Sequence, residues 1–106
     1  MWLMTCHLTP LEVAQALFGH IEDVAEAAQY DRKSGYPWRH AAKGRAAGDF
    51  PSAIVMRRLL DYSNEHGLGL TADHLIYGAE SAEIEAILAS RRSMEMPRVL
   101  NRMAAQ

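Results

Sequence analysis

Apolar residues recur at steps of three and four along most of this chain, and the alternation typical of β-strands is nearly absent. In the first such stretch, Thr9 is a good helix cap, Pro10 suits the first helical turn and Gly19 is a good helix end. The apolar positions between them are Leu11, Ala14, Leu17 and Phe18. Their spacing predicts a first helix with one buried face.

The same spacing predicts the remaining helices. Residues 20–30 form a short second helix in this prediction, with its acidic side chains opposite its apolar side. Later helices are predicted over residues 52–67, 71–78 and 80–92, with Pro97 breaking whatever follows. The predicted fold class is therefore all-α. It consists of a domain of about five helices over residues 1–79 and an additional C-terminal helical segment over residues 80–106.

Residues 31–44 are predicted to form an irregular third helix that ends at Gly44. Asp31 is a good cap before it, but Pro37 lies inside it and lacks the amide hydrogen that a helix interior uses. Two alternatives remain open. The helix either starts at Asp31 and bends in the middle, or starts at Pro37 after an extended turn over residues 32–36. The second is favoured, because proline is comfortable in a first turn.

Charge draws attention to this same segment. The chain has 11 lysine and arginine residues against 13 aspartate and glutamate residues, and its net charge is -2 at pH 7. It is therefore not the strongly basic particle expected of a purely electrostatic nucleic-acid binder. Residues 32–45, however, contain basic side chains and no acidic one: Arg32, Lys33, Arg39, His40, Lys43 and Arg45. Such a concentration predicts one face that meets phosphate groups.

Two short helices joined by a tight turn, the second of them basic and aromatic, are typical of a helix-turn-helix that places its second helix in the major groove of DNA. Ala25 is small where the two helices must approach closely. Trp38 lies where the second helix should turn its inner face to the core. The side chains expected to point outward are Arg39, His40 and Lys43. Residues 21–44 are thus predicted to form a helix-turn-helix with a basic recognition helix.

Three stretches also carry a resemblance to a known family. They are VAEAAQ at residues 24–29, Trp38-Arg39 followed by Lys43-Gly44-Arg45, and LTADHLIYG at residues 70–78. In these stretches the chain resembles the phage-type Cro and repressor-like regulators, including the YdaS-like branch and related prophage or gene-transfer-agent regulators. The resemblance covers roughly residues 10–79 and implies a lambda-repressor-like domain. It implies recognition-helix contacts to DNA from Arg32, Lys33, Ser34, Tyr36 and Arg39, and phosphate contacts from Lys43 and Arg45.

Three positions depart from the pattern of that family. Gln29 occupies a turn position that is often glycine, and Gly35 occupies a position that is usually β-branched. Pro37 lies inside the predicted recognition helix, where it kinks the backbone. These departures predict a recognition helix with an unusual start.

The C-terminal segment has apolar stripes that need a cover. Its apolar positions are Ile84, Ile87, Leu88, Met94, Met96, Val99, Leu100 and Met103. One alternative is packing onto the first and fourth helices of the same chain. The other is a contact with a partner, such as the seam of a homodimer whose recognition helices read half-sites about 34 Å apart. A dimer or partner contact is favoured, since methionine-rich surfaces adapt to partners.

Other functional classes have less support. Cys6 is the single cysteine and no secretory signal opens the chain, so a reducing compartment, the cytoplasm, is expected. No stretch reaches the roughly 20 apolar residues that span a bilayer. The five histidines show no pair at the spacing of a helical zinc site, and no catalytic motif is present. We therefore expect no metal, no cofactor, no membrane association and no enzyme activity.

The leading hypothesis is a sequence-specific transcription regulator that binds double-stranded DNA, as a homodimer. The main alternative is an adaptor that acts on RNA polymerase or another regulator through its C-terminal helices. A weaker third alternative is a small enzyme or ligand-binding helical domain.

Overall fold

Five α-helices, one 3-10 helix and one pair of two-residue strands form the fold in the computed structural model, which describes the backbone of residues 6–104 and the side chains of residues 6–93. In chain order the elements are β1 (His7–Leu8), α1 (Pro10–Phe18), α2 (Ile21–Ala27), the 3-10 helix (Arg32–Arg39), α3 (Ala53–His66), α4 (Ala72–Tyr77), β2 (Ala79–Glu80) and α5 (Ser81–Ala104). The fold is mostly helical, at 65% helix. The strand pair is a feature that the all-α prediction lacks.

Helix α1 begins at a capping box. The Thr9 hydroxyl accepts a hydrogen bond from the Glu12 amide at 3.2 Å, and the Glu12 carboxylate accepts one from the Thr9 amide at 3.0 Å. Together the two bonds satisfy backbone donors that a helix start leaves without partners. The helix buries Pro10, Leu11, Val13, Ala14 and Leu17. The first predicted helix and its buried face are therefore confirmed.

Gly48 joins α1 to the basic segment. Its carbonyl oxygen accepts a hydrogen bond from the Leu11 amide at 2.9 Å, and its own amide donates to the Trp38 carbonyl at 2.9 Å. Its φ is 85°, and a Cβ there would overlap the Thr9 side chain. Both facts favour glycine at this position.

Helix α3 crosses the core between a serine cap and a glycine end. The Ser52 hydroxyl accepts from the Val55 amide at 3.4 Å, and Gly67 closes the helix in the left-handed region at φ 65°. The buried positions of the helix are four apart: Val55, Leu59 and Ser63. The buried Ser63 hydroxyl accepts from the Leu70 amide at 2.9 Å, so it carries no unsatisfied polar atom into the core.

The first part of α5 packs on its own chain. Ile84 is buried, and Ile87 and Leu88 lie against the core in partly buried positions. Arg91 donates to the carbonyl oxygens of Leu17 at 3.1 Å and Leu68 at 3.4 Å, and so ties α5 to the end of α1. For these residues, packing within the chain is observed. The remaining predicted apolar positions lie outside the residues whose side chains are described: Met94, Met96, Val99, Leu100 and Met103.

The helix α5 is longer than predicted. It runs from Ser81 to Ala104, so the prediction that Pro97 ends it is wrong. A proline removes one backbone hydrogen bond and bends a helix. A helix of 24 residues can continue past such a bend. None of the described helices is long and apolar enough to cross a membrane.

Strands β1 and β2 form a clip between the start of the described chain and α5. They pair antiparallel with His7 opposite Glu80, and the Ser81 amide donates to the Cys6 carbonyl at 2.8 Å. The imidazole of His7 contacts the carbonyl oxygen of Tyr77 through Nε2 at 2.7 Å and the Glu80 carboxylate through Nδ1 at 3.1 Å. A carbonyl and a carboxylate both accept hydrogen bonds, so the two contacts are made together only when both ring nitrogens carry a proton.

This clip predicts a pH dependence of stability. The Tyr77 carbonyl first, and then Glu80, raise the pKa of His7 above its ordinary value of 6.5. A raised pKa in the folded state means that the stabilising contribution is fully present below pH 6.5 and is lost as pH rises through the raised pKa. Thermal unfolding measured at a series of pH values from 6.5 upward should show this loss of stability in the wild type and not in His7→Gln. An NMR titration that gave His7 a pKa at or below the ordinary value would contradict it.

Candidate nucleic-acid interface

The turn after α2 brings the basic segment back against that helix. Ala25 and Ala28 are fully buried, so the close approach predicted around Ala25 is present. Gln29 has a φ of 68°, in the left-handed region that favours glycine. The Tyr30 amide then donates to the Ala25 carbonyl at 3.0 Å. The chain therefore turns at Gln29, the position at which the sequence predicted a turn.

The segment after this turn is a 3-10 helix, and neither form of the predicted recognition α-helix is present. It begins after Asp31, as one alternative held, but it ends at Arg39 rather than at Gly44. Its bonds join residues three apart: the Ser34 amide donates to the Asp31 carbonyl at 3.0 Å, and the His40 amide donates to the Pro37 carbonyl at 3.1 Å. Pro37 supplies no donor of its own, which favours such a short, tight helix over a continuous α-helix.

A 3-10 helix has three residues per turn, so positions three apart share one edge. The edge of Arg32, Gly35 and Trp38 faces α2, since Gly35 and Trp38 are buried. A second edge, called here the basic edge, carries Lys33, Tyr36 and Arg39; its two cations are exposed and its tyrosine is partly buried. Ser34, Pro37 and the following His40 are all exposed. The 3-10 geometry thus separates a packing edge from a basic one.

Trp38 anchors the packing edge. It is only 5% exposed, and its ring meets those of Phe50 and Tyr30 edge to face, with centroids 5.6 Å and 6.4 Å away. The prediction that Trp38 belongs to the core is confirmed. A Cβ on Gly35 would lie 3.3 Å from both Ile21 and the indole, closer than ordinary van der Waals contact, so a larger residue there would displace one of these side chains.

A tight hairpin follows the 3-10 helix. Ala42 and Arg45 exchange two backbone hydrogen bonds of 2.9 Å, which leaves Lys43 and Gly44 at the tip. The Lys43 side chain is exposed there. The Arg45 guanidinium instead points back and donates to the carbonyl oxygens of Asp49 at 3.2 Å, Pro37 at 3.4 Å and Trp38 at 3.5 Å. The two cations predicted to contact phosphate therefore have different surroundings.

Three acidic residues of α2 lie beside the basic segment. Arg32 pairs with Glu26 at 2.7 Å and approaches Asp23 at 3.7 Å. The Tyr36 hydroxyl donates to the Glu22 carboxylate at 2.7 Å. This hydrogen bond lowers the pKa of Glu22 and raises the pKa of Tyr36, and the Glu26 partner raises the pKa of Arg32. The positive charge of Arg32 is thus largely neutralised by its own chain.

Arg39 is held by the backbone and the ring of Tyr36. Its Nε donates to the Tyr36 carbonyl at 3.3 Å, and its guanidinium carbon lies 5.2 Å from the centre of the Tyr36 ring. The side chain also borders an open depression of about 300 Å³ that includes Glu12 and Gln15. Among the described residues, none forms an ion pair with Arg39, Lys33 or Lys43.

The structure brings most of the predicted site residues together in one segment. Six of them are exposed: Arg32, Lys33, Ser34, Arg39, His40 and Lys43. Of these, Arg32 is paired with Glu26, whereas Tyr36 and Arg45 are partly buried and bonded within the chain. The sequence reasoning missed Glu22 as a partner of Tyr36. The acidic run Glu22-Asp23 was a signal, but nothing local indicates that it folds against a residue 14 positions later.

The described residues contain no group of three or more histidine, cysteine, aspartate and glutamate side chains that could hold a metal ion. Comparisons with protein-family models, with curated proteins and with solved structures found no match to this chain.

Arg45 and Lys43 provide a matched pair of tests. We expect Arg45→Ala to lower the free energy of unfolding by about 1 kcal/mol or more, because three carbonyl oxygens lose a charged donor. Lys43→Ala, at the exposed tip of the same hairpin, should change it by less than about 0.5 kcal/mol. Urea unfolding of the two variants and the wild type measures both values. If Arg45→Ala changed the free energy of unfolding no more than Lys43→Ala does, the Arg45 contacts would not stabilise the hairpin.

Proposed function

We propose that this chain is a transcription regulator that binds duplex DNA through the basic edge of its 3-10 helix and the adjoining hairpin. The observation that carries the proposal is the exposure of Lys33, Arg39 and Lys43 on a segment fixed to the core by Trp38. Sequence-specific readout needs cations held at defined positions on a rigid support. The buried indole supplies that support.

The dimensions of the segment suit a DNA groove. At a rise of about 2 Å per residue, the basic edge from Lys33 to Arg39 spans about 12 Å, or three to four base pairs. A 3-10 helix is narrower than the α-helices that enter a major groove about 12 Å wide. In this proposal the edge lies in or along that groove, with His40 and Lys43 next to the flanking phosphates.

The distribution of charge supports the same face. Free cations gain from releasing the counterions of DNA, whereas a cation already paired with a carboxylate gains less. Arg32 is paired with Glu26 on the α2 side of the 3-10 helix. Lys33 and Arg39 have no ion pair with any described residue. We therefore assign contacts with DNA to the exposed Lys33 and Arg39 rather than to Arg32.

Binding should weaken steeply with salt and depend on the basic edge. We expect the double variant Arg39→Ala/Lys43→Ala to bind random duplex DNA more weakly. A plot of the log of its association constant against log salt concentration should be less steep, by about 0.9 for each lost phosphate contact. Fluorescence anisotropy at several salt concentrations measures both quantities.

The matched control is Arg57→Ala/Arg92→Ala, which removes the same charge from exposed positions on α3 and α5. It should retain most of the affinity. Equal losses in the two double variants would contradict the assigned face. Selection of bound sequences from a random pool then tests specificity, and a palindromic result supports two half-sites.

We also propose that the regulator is a homodimer, joined through the C-terminal part of α5. The helix continues to Ala104, past Arg91, which donates to the Leu17 carbonyl at the end of α1. The sequence there has apolar residues at the spacing of one helical face: Met96, Val99, Leu100 and Met103. A second copy of the same stripe would cover them and place two basic edges on one DNA duplex.

A shortened chain tests the dimer. A version that ends at Ser93 keeps Ile84 and Arg91, whereas one that ends at Gly78 would also lose strand β2 and the buried Ile84. We expect the full chain to be a dimer in sedimentation experiments and the version ending at Ser93 to be a monomer of unchanged helical content per residue. A full chain that stays monomeric at all concentrations would contradict the proposal.

The second candidate function is an adaptor that contacts RNA polymerase or another regulator through the C-terminal helices. The exposed apolar pair at the end of α4 favours it, since Ile76 is 59% exposed and Tyr77 is 71% exposed. Absence of any protected DNA in footprinting, together with recovery of polymerase on the tagged wild type but not on Ile76→Asp, would favour this candidate over the first.

A further inference from the structure

Arg39 has one part of its guanidinium fixed and the other part available. Its Nε–H is used by the Tyr36 carbonyl, and its carbon lies over the Tyr36 ring. Arginine has five N–H donors, four of them on the two terminal nitrogens. Those terminal nitrogens donate to no other described residue. The guanidinium is therefore a planar group, called here the Arg39 fork, whose Nε is held and whose terminal N–H groups are available to a ligand.

The Tyr36 ring is itself held from the body of the protein. Its hydroxyl donates to the Glu22 carboxylate at 2.7 Å, and Glu22 belongs to α2. The opposite shifts of the two groups, a lowered pKa for Glu22 and a raised pKa for Tyr36, are those expected of a hydrogen bond to a charged carboxylate. Glu22, Tyr36 and Arg39 thus form a chain of contacts from α2 to the basic edge.

We propose that Glu22 and Tyr36 are positioning residues that hold the Arg39 fork for a bidentate contact with a guanine base in duplex DNA. The inference rests on the function proposed above. Guanine presents O6 and N7 side by side in the major groove, and a planar fork matches that pair of acceptors. Lys33 and Lys43 are compact charges on flexible stems, which suffice for phosphate and need no fixed plane.

Orientation is what distinguishes a base reader from a phosphate contact here. A free arginine side chain loses rotamer freedom when it binds, and a fork fixed beforehand loses less. That saving is useful only when the acceptors have a fixed plane, as the edge of a base has. A carboxylate that served only to lower the local positive charge would need no contact with the ring under the guanidinium.

The test uses the full-length protein and a duplex taken from selection, in which one guanine is replaced by 7-deazaguanine, which lacks the N7 acceptor. We expect the wild type to lose about 10- to 100-fold in affinity at one guanine position. Arg39→Ala has no donor for the guanine, so it should bind the two duplexes equally. Arg92→Ala, on α5, is the matched control and should discriminate between them as the wild type does.

The positioning role has its own variants. Glu22→Ala and Tyr36→Phe each remove the hydrogen bond and should reduce the discrimination, and the double variant should be no worse than either alone. Glu22→Gln keeps an oxygen that accepts a hydrogen bond from the Tyr36 hydroxyl, so this variant should retain the discrimination between the two duplexes. A second measurement is made on the free protein, without DNA. The NMR relaxation of the Arg39 Nε–H group should show more motion in Glu22→Ala than in Glu22→Gln.

The outcomes separate the two proposals. If no duplex is bound at any salt concentration, the proposed function fails and the guanine assignment fails with it. If DNA is bound but Arg39→Ala still discriminates against 7-deazaguanine, only the guanine assignment is overturned. If Glu22→Ala and Glu22→Gln have the same discrimination and the same Arg39 mobility, the positioning role is overturned while DNA binding stands.

Discussion

The packing of the Trp38 indole against Phe50 and Tyr30 is the interaction on which the geometry of the basic segment depends. In a helix with three residues per turn, burying one position determines where the other two edges face. With Trp38 turned toward the core, Gly35 comes against α2, and the neighbouring edge keeps Lys33 and Arg39 exposed while Tyr36 reaches Glu22 of α2. The Trp38 carbonyl also accepts from the Gly48 amide, and the Gly48 carbonyl accepts from the Leu11 amide at the start of α1. One buried ring therefore connects the first helix, the second helix and the exposed cations.

The acidic residues of α2 determine which side of the 3-10 helix carries positive potential. Glu26 neutralises Arg32, and Glu22 holds the hydroxyl of Tyr36, so the side of the 3-10 helix next to α2 carries carboxylates. An anionic partner is repelled there and attracted on the opposite side. A net charge of -2 is compatible with binding to a polyanion under this arrangement, because the positive potential is local.

Backbone carbonyl groups, rather than ion pairs, tie the parts of the molecule together. Arg91 caps the last turn of α1, Arg58 donates to the Ala28 carbonyl at 3.1 Å, and Arg45 gathers three carbonyl oxygens in the hairpin. Arg91 and Arg58 bridge elements distant in the chain, and Arg45 joins its hairpin to the end of the 3-10 helix and to the loop that follows. Residue type alone therefore does not separate an arginine available to a ligand from one committed to the fold.

The sequence by itself determined the features that depend on neighbours three or four positions apart. The capping box at Thr9, the helix from Ser52 to Gly67 and the similar cap at Thr71 could all be predicted, because their hydrogen bonds are local. The burial of Trp38 could also be predicted, from its size and spacing. Only the tertiary structure decided that residues 32–39 form a 3-10 helix, that Arg45 points inward while Lys43 points outward, and that Tyr36 meets Glu22. These depend on the path that the chain takes after Gln29, where a left-handed residue turns it back on α2. No pattern of nearby residues encodes contacts made across such a turn.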